Sequence, residues 1–378
     1  MAVTAAALPM GVEEEFLLVD PSTGVPVPCV GALLGDTRTR PETPPGAVLQ
    51  RELRETQIEA TTGVCRSAAE LRAHVSAGRQ AVEFLATMHG VRAIATGLPF
   101  RASEDAPAAV GRYADIDDIF GPLTTGYEAC GTHVHVEVPD RDTAVAVVNH
   151  LRPWLPTLLA LSVNSPFERG RDTGYGSWRA VLQSRFPGSG VTPWFAGHAD
   201  YRKTVEMLVD WGSLVDPTMT FWLARPSPHL PTVEFRVADS ATTADEAVLY
   251  ALLGRALVRT ALDELARGRE APALPQQLCA SALWSASRNG LDGDGVDVRD
   301  RTRVTAWDLL GRLLRHVHGA LCAADDDVEV AGLVDAMRAR GTGAQRQRQR
   351  RGPGGSLTAS LISSAPAPIR SADRQEAL

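Results

Sequence analysis

Strict alternation of apolar and polar residues marks the stretch 130–139 as a two-faced β-strand. Valine and threonine side chains occupy one face, and this face is expected to pack against a hydrophobic core. The other face carries Gly131, His133, His135 and Glu137, and neighbours on such a face lie roughly 7 Å apart. A polar face of this kind is most commonly the solvated side of an antiparallel sheet. Its two imidazoles and one carboxylate also make it a candidate functional site, and this strand alone leaves both interpretations open.

Two further stretches, 11–20 and 231–238, repeat the alternation. The charged side chains that share a face within each stretch are Glu13 with Glu15, and Glu234 with Arg236. Glutamate is a poor strand former, and the three consecutive glutamates at 13–15 repel one another. A bound cation would offset that cost. We therefore predict that the three charged strand faces meet in one polar site.

Helical periodicity alternates with these strands. A capping box opens a predicted helix over 67–89, and a buried strand is predicted to follow over 91–96. A second capping box at Thr243 opens a long helix, and Asp142 is predicted to cap a third helix that prolines interrupt. Helices and strands in this irregular order predict an α+β arrangement.

Two charged stretches lack a decisive pattern. The stretch 51–62 contains Glu52 and Glu59, and its simplest interpretation is an exposed face of a helix or strand. The stretch 164–179 is a long, turn-rich loop with three arginines. Loops of this length in compact domains often bind ligands, but an ordinary solvated loop fits the pattern equally well.

Composition narrows the classes of function. The 378 residues are 44% hydrophobic with a net charge of −7, which predicts a soluble globular protein and argues against nucleic acid as a partner. No apolar run reaches the roughly 18 residues of a membrane span, and we expect no secretory signal. Five scattered cysteines favour a reducing cytoplasm over a disulfide framework. Lys203 is the only lysine, so phosphate contacts are expected from arginine, backbone amides or metal.

Carboxylates outnumber histidines among the candidate ligands. Glutamate oxygens suit Mg²⁺ or Mn²⁺, whereas imidazole more typically suits Zn²⁺. Mg²⁺ usually serves a phosphate substrate. A glutamate-lined site with arginine nearby therefore predicts ATP chemistry rather than hydrolysis by zinc-bound water.

Several of these stretches resemble the YbdK-type carboxylate–amine ligases, which are related to glutamate–cysteine ligases. The matching stretches, in the family's order, are 11–20, 52–65, 131–136, 164–167 with 170–175, and 233–239. The resemblance implies a catalytic domain over 11–343. We expect a flexible leader over 1–10 and a low-complexity, disordered tail over 344–378.

The resemblance implies an α+β fold similar to the catalytic domain of glutamine synthetase, with a curved, mostly antiparallel sheet and helices packed outside. It implies that ATP phosphorylates the side-chain carboxylate of L-glutamate to an acyl phosphate. An amine, that of L-cysteine or another, then displaces phosphate to give γ-glutamylcysteine or a related amide. The implied cofactors are ATP and Mg²⁺ or Mn²⁺. The expected partners are these small molecules, with neither nucleic acid nor membrane, and a homo-oligomer stays open.

The resemblance also implies roles for particular residues. The implied metal ligands are Glu13, Glu15, Glu52, Glu59, His133 and Glu234. Arg236 and Glu59 are the implied catalytic residues, and Arg236 would stabilise charge on the transferred phosphoryl group. The implied substrate or nucleotide contacts are Asn164, Arg171, Tyr175 and Arg236. His135 either binds metal or supports a ligand from behind.

Two alternatives belong to other classes. A metal-dependent hydrolase would use His133 and His135 with the glutamate cluster, would prefer Zn²⁺ and would act without ATP. A non-catalytic protein would bind nucleotide or amino acid without releasing ADP. So many clustered carboxylates are costly without cations, and together with Arg236 they weigh against the non-catalytic alternative.

Overall fold

The computed structural model describes residues 7–36, 41–101 and 111–351. The strands are β1 (Met10–Val19), β2 (Val48–Arg51), β3 (Gln57–Thr61), β4 (Arg92–Ile94), β5 (Gly131–Glu137), β6 (Phe167–Glu168), β7 (Arg171–Asp172), β8 (Ser189–Gly190), β9 (Phe221–Trp222), β10 (Ala224–Pro226), β11 (Thr232–Asp239), β12 (Asp294–Asp297) and β13 (Thr302–Thr305). The helices are α1 (Val30–Gly35), α2 (Ala68–Met88), α3 (Arg112–Phe120), α4 (Arg141–Leu151), α5 (Leu155–Ser162), α6 (Trp178–Gln183), α7 (His198–Asp210), α8 (Ala244–Ala266), α9 (Gln276–Asn289), α10 (Ala306–Ala323), α11 (Asp327–Arg340) and α12 (Gly343–Arg350).

The main sheet has seven strands, and its order is β10-β11-β5-β1-β3-β2, with β4 also paired to β1. Every pairing within it is antiparallel. The three strands predicted from alternation are β1, β5 and β11, so those predictions are confirmed. The stretch 51–62 supplies the turn after β2 and all of β3.

The apolar face of these strands forms the main core with the helices. Val12, Val134 and Phe235 are almost completely buried there. Leu249 and Leu253 of α8 belong to the same cluster. Since side chains alternate between the two faces of a strand, burial of this face turns the charged residues of the same strands to the opposite face.

Helix α2 begins as predicted, because the Ser67 side chain accepts a hydrogen bond from the backbone N–H of Glu70. The predicted third helix divides at its prolines into α4 and α5. Its N-cap is Asp140, not the predicted Asp142, since the Asp140 carboxylate accepts from the backbone N–H of Thr143 at 2.8 Å.

A buried ion pair fastens α2 to β1. Arg79 donates to both oxygens of Glu14, with distances of 3.0 Å from Nε and 2.6 Å from Nη2. The same guanidinium donates to the backbone oxygens of Ala241 and Thr242, just before α8. One arginine therefore joins three parts of the fold.

The chain ends differ from the expected leader and tail. Met10 already belongs to β1, and the Pro9 carbonyl accepts from the Glu137 N–H at 3.0 Å. At the other end, residues 343–350 form α12 despite their low-complexity composition. Gln347 fixes this helix, because its Nε2 donates to the Asn164 backbone oxygen at 2.9 Å and side-chain oxygen at 2.8 Å. The predicted stretches 1–6 and 352–378 lie outside the described residues.

We expect Arg79→Ala to lower the free energy of unfolding by about 3–5 kcal/mol, because it leaves the Glu14 carboxylate buried without its arginine. Urea unfolding measures this change. The matched control is Arg202→Ala, which removes an exposed pair with Glu206 and should cost less than about 1 kcal/mol. Equal effects of the two substitutions would show that the buried pair does not stabilise the fold.

Candidate active site

The pairing register brings the charged residues of four strands together. Glu13 of β1 lies opposite His133 of β5, and Glu15 lies opposite Glu59 of β3. Glu234 of β11 lies opposite His135. Directly opposed residues in an antiparallel sheet project to the same face. The single polar site predicted from the separate strands is therefore present.

The acidic residues divide into two groups. The first consists of Glu13, His135 and Glu234, and the second of Glu15, Glu52 and Glu59. Within each group one ligand atom from every residue lies within 4.8 Å of the others. Each group therefore has the spacing of a metal site.

His133 lies between the two groups. Its Nδ1 is 3.1 Å from Glu13 Oε2, and its Nε2 is 3.6 Å from Glu15 Oε1. The six predicted metal ligands are thus brought together, and His135 joins them. The Nε2 of His135 is 3.1 Å from Glu13 Oε1. A set dominated by carboxylate oxygens fits Mg²⁺ or Mn²⁺ better than Zn²⁺.

Like charges are poorly compensated in the second group. Burial and the charge of Glu52 raise the pKa of Glu15 to about 8. Burial and the charges of Glu13 and Glu52 raise the pKa of Glu59 well above its usual range. A raised carboxyl pKa means that the ionised form is disfavoured. A cation bound within such a metal-spaced cluster would stabilise the ionised form.

Neighbouring histidines and arginines stabilise charge in the first group. Burial raises the pKa of Glu13, but hydrogen bonds with His133 and His135 outweigh burial and lower it below the usual range. Burial likewise opposes ionisation of Glu234, but Arg225 and Arg236 hold its pKa well below the usual range. These two carboxylates are therefore ionised at neutral pH without a bound cation.

Two arginines hold Glu234. Arg236 is ion-paired to it, and the Arg236 Nε makes no hydrogen bond within the described residues. Arg225 donates from Nε to Glu234 at 2.8 Å and from Nη1 to the carbonyls of Thr218 and Thr220 at 2.6 and 2.7 Å. Arg225 therefore connects a candidate ligand to the loop before β9.

All of these groups face one cavity of about 470 Å³. One wall is the acidic face of the sheet. The opposite side includes apolar side chains of a second buried cluster, among them Ile116, Tyr127, Phe186 and Met219. Arg112 and Tyr113 bring the start of α3 to the same cavity.

Three predicted contact residues lie outside this cavity lining. Asn164 is buried and donates to the carbonyls of Ala95 and Ser240, while its oxygen accepts from Gln347. That bonding gives Asn164 a structural role in place of the predicted ligand contact. Arg171 is exposed on β7.

Tyr175 also points elsewhere, because its hydroxyl accepts from Trp284 Nε1 at 3.1 Å. The loop 164–179 reaches the cavity through Arg179 instead. Arg179 is one of the three arginines in that loop, and no pattern in the sequence distinguishes it from the other two. Arg225 lies on a three-residue strand, which is too short to show alternation.

Comparisons with known proteins agree with this geometry. A family model described as glutamate–cysteine ligase family 2 matches residues 9–360. A Saccharopolyspora erythraea protein, provisionally named glutamate–cysteine ligase 2-2, is 49% identical over 97% of this chain and 94% of its own length. A provisionally named glutamate–cysteine ligase 2 of Salinispora arenicola is 42% identical over 91% of this chain and 90% of its own length.

Solved structures share the fold at low sequence identity. A glutamate–cysteine ligase from Francisella tularensis, in complex with AMP, has a TM-score of 0.70 at 12% identity, covering 96% of this chain and 88% of its own. A bifunctional glutathione synthetase from Pasteurella multocida has a TM-score of 0.69 at 15% identity, covering 95% of this chain and 52% of its own.

The antiparallel sheet, its acidic face and these matches define the class of protein: an ATP-dependent ligase that forms a C–N bond. The predicted α+β fold is confirmed by the shared fold of the solved ligases. More particularly, the chain belongs to glutamate–cysteine ligase family 2. Among the helices of the described residues, none has the length and apolar character needed to cross a membrane.

We expect Mg²⁺ or Mn²⁺ to raise the Tm by roughly 5 °C at about 100 times the Kd, because a cation that binds only the folded state stabilises it. Glu59→Gln should lose most of this shift, since it removes one carboxylate of the second group. Differential scanning fluorimetry measures both. The matched control Glu206→Gln, on the exposed side of α7, should keep the full shift. A full shift in Glu59→Gln would exclude Glu59 as a ligand.

Proposed function

We propose that the protein uses ATP to join the side-chain carboxylate of L-glutamate to an amine, either that of L-cysteine or another. The observation that carries this proposal is the pair of carboxylate-rich groups beside Arg225 and Arg236 in one cavity. Carboxylates at this density attract the divalent cations that accompany ATP, and guanidinium groups complement phosphate. Membership of the ligase family supports the same reaction class.

In the proposed reaction, a side-chain carboxylate oxygen of glutamate attacks the γ-phosphorus of ATP, and the bond to ADP breaks. The product is an acyl phosphate. The amine nitrogen then attacks the acyl carbon, the carbon–oxygen bond to phosphate breaks, and the nitrogen loses a proton. The products are ADP, phosphate and a γ-glutamyl amide, which is γ-glutamylcysteine when the amine is cysteine.

The proposed role of each residue follows from its position in the cavity. Mg²⁺ or Mn²⁺, when bound, would offset negative charge on the phosphates. Glu13, His135 and Glu234 are proposed to hold one ion and Glu15, Glu52 and Glu59 a second, and His133 would offer one ring nitrogen to either ion. Arg236 would donate its unpaired Nε–H towards the transferred phosphoryl group. Glu59 remains a predicted catalytic residue through its place in the second group.

The geometry disfavours the zinc hydrolase. Only one histidine belongs to either metal-spaced group within the described residues, and that histidine has two glutamates as neighbours. His133 has a pKa lowered to about 4, chiefly by burial and by the charge of Arg236, so it stays neutral at neutral pH and can accept a cation between the groups. The cytoplasm remains the expected compartment from cysteine usage.

We expect wild-type protein to release ADP from Mg-ATP only when L-glutamate and an acceptor amine are both present. A coupled ADP assay with cysteine and a panel of other amines identifies the acceptor. Glu59→Gln should abolish release, and Glu206→Gln should not alter it. ATP binding without ADP release in any combination would overturn the glutamate–amine assignment.

Arg236→Lys should lower kcat by about 100-fold with little change in the KM for ATP, because lysine retains charge but lacks the planar donor set. Steady-state kinetics separate the two constants. Arg202→Lys on the exposed face of α7 is the matched control and should leave both unchanged. A rise in KM at constant kcat would assign Arg236 to ground-state binding instead.

A further inference from the structure

Helix α6 brings two polar side chains to the cavity that the proposed reaction does not use. Arg179 and Gln183 are four residues apart and therefore lie on one face of the helix. Each is only 3% exposed, and each lines the cavity.

Both side chains carry buried atoms without hydrogen-bond partners. These atoms are Nε and Nη1 of Arg179 and Oε1 of Gln183, and the statement holds for the described residues. Buried polar groups in folded proteins nearly always have a partner, because an unmet hydrogen bond costs free energy. Unmet groups in a cavity wall indicate that a ligand supplies the partner.

The Asp239 carboxylate, which is ion-paired to Arg179, does not supply these missing hydrogen bonds. Arg179 Nη1 lies 3.7 Å from Asp239 Oδ1, which is an ion pair but too long for a hydrogen bond. The Asp239 oxygens accept instead from Ser177 Oγ at 2.8 Å, Ser165 Oγ at 2.7 Å and the Asn164 N–H at 2.8 Å. Asp239 therefore holds the guanidinium by charge and leaves Nε and Nη1 without a hydrogen bond, while Nη2 donates to the Arg236 carbonyl at 3.4 Å.

A glycine in β5 makes room for this guanidinium. A Cβ at Gly131 would lie 2.5 Å from Arg179 Nη2, which is closer than atoms can approach. The backbone N–H of Gly131 donates to Glu15 Oε2 at 2.5 Å. The Arg179 guanidinium thus lies close to the strand position that binds Glu15 of the second acidic group, where the reacting substrate is expected.

We propose that Arg179 and Gln183 bind the α-carboxylate and the α-ammonium group, respectively, of an α-amino acid substrate. A guanidinium binds a carboxylate through paired N–H donors, and an amide oxygen accepts from an ammonium group. A phosphate would satisfy Arg179 but would offer no donor to Gln183. The choice of L-glutamate as the probe rests on the proposed function.

The test compares ligands that lack one group at a time. Isothermal titration of the full chain, with Mg²⁺ and a non-hydrolysable ATP analogue, measures L-glutamate, glutarate without the ammonium group, and 4-aminobutyrate without the α-carboxylate. Arg179→Gln should weaken L-glutamate and glutarate by about 10- to 100-fold and leave 4-aminobutyrate unchanged. Gln183→Leu should weaken L-glutamate and 4-aminobutyrate and leave glutarate unchanged.

Two further variants distinguish the loss of the Arg179 contact from misfolding of the protein. Arg179→Lys keeps a positive charge beside Asp239 and should retain part of the preference for ligands with an α-carboxylate. Gly131→Ala displaces the guanidinium without removing it and should reproduce the ligand pattern of Arg179→Gln. The matched control Arg185→Gln alters an exposed arginine just after α6 and should change no affinity.

Equal weakening of all three ligands by Arg179→Gln, or weakening of the ATP analogue alone, would overturn the subsite. Wild-type protein that binds no α-amino acid would also overturn it. If the expected ligand pattern is found but no ADP is released, the proposed function fails and the subsite stands. If ADP is released normally but the variants do not distinguish the three ligands, the proposed subsite alone is wrong.

Discussion

Repulsion among carboxylates that meet at one face of the sheet, four from its strands and Glu52 from the turn after β2, is the constraint that the rest of the structure accommodates. Strand register brings the glutamates together, because Glu15 lies directly opposite Glu59 and shares one face of β1 with Glu13. The same register buries Val134 and Phe235 on the other face. A slip by one residue would exchange the two faces, so the apolar core holds the charges together. The helices that pack on the apolar face therefore help to hold the acidic face in place.

The protein compensates this charge unevenly. Glu234 is ionised because Arg225 and Arg236 lie against it, whereas burial and neighbouring carboxylates raise the pKa of Glu15 and Glu59. The first group therefore carries fixed negative charge before any ion binds. If a cation binds as proposed, it would favour the ionised form of the second group, and ion binding would then be coupled to the release of protons.

Alternation alone predicted the strands and the shared polar face, since side-chain direction in a strand depends only on position along the chain. Glu52 and Glu59 needed the family resemblance, because the pattern at 51–62 by itself favours an exposed surface. The contributions of Arg225 and α6 depend on which segments pack over the sheet, which no local pattern specifies. The position of Asn164 outside the cavity lining was not predictable for a related reason: its partner Gln347 is 183 positions away in the sequence.

That distance has a consequence for how the protein is made. Asn164 completes its hydrogen bonds only when Gln347 arrives, so the segment that carries Arg179 lacks this support throughout most of synthesis on the ribosome. Folding during translation can complete the sheet from β1 to β11 well before α12 exists. The acidic face therefore forms from residues that are all synthesised before the helix that completes the hydrogen bonds of Asn164.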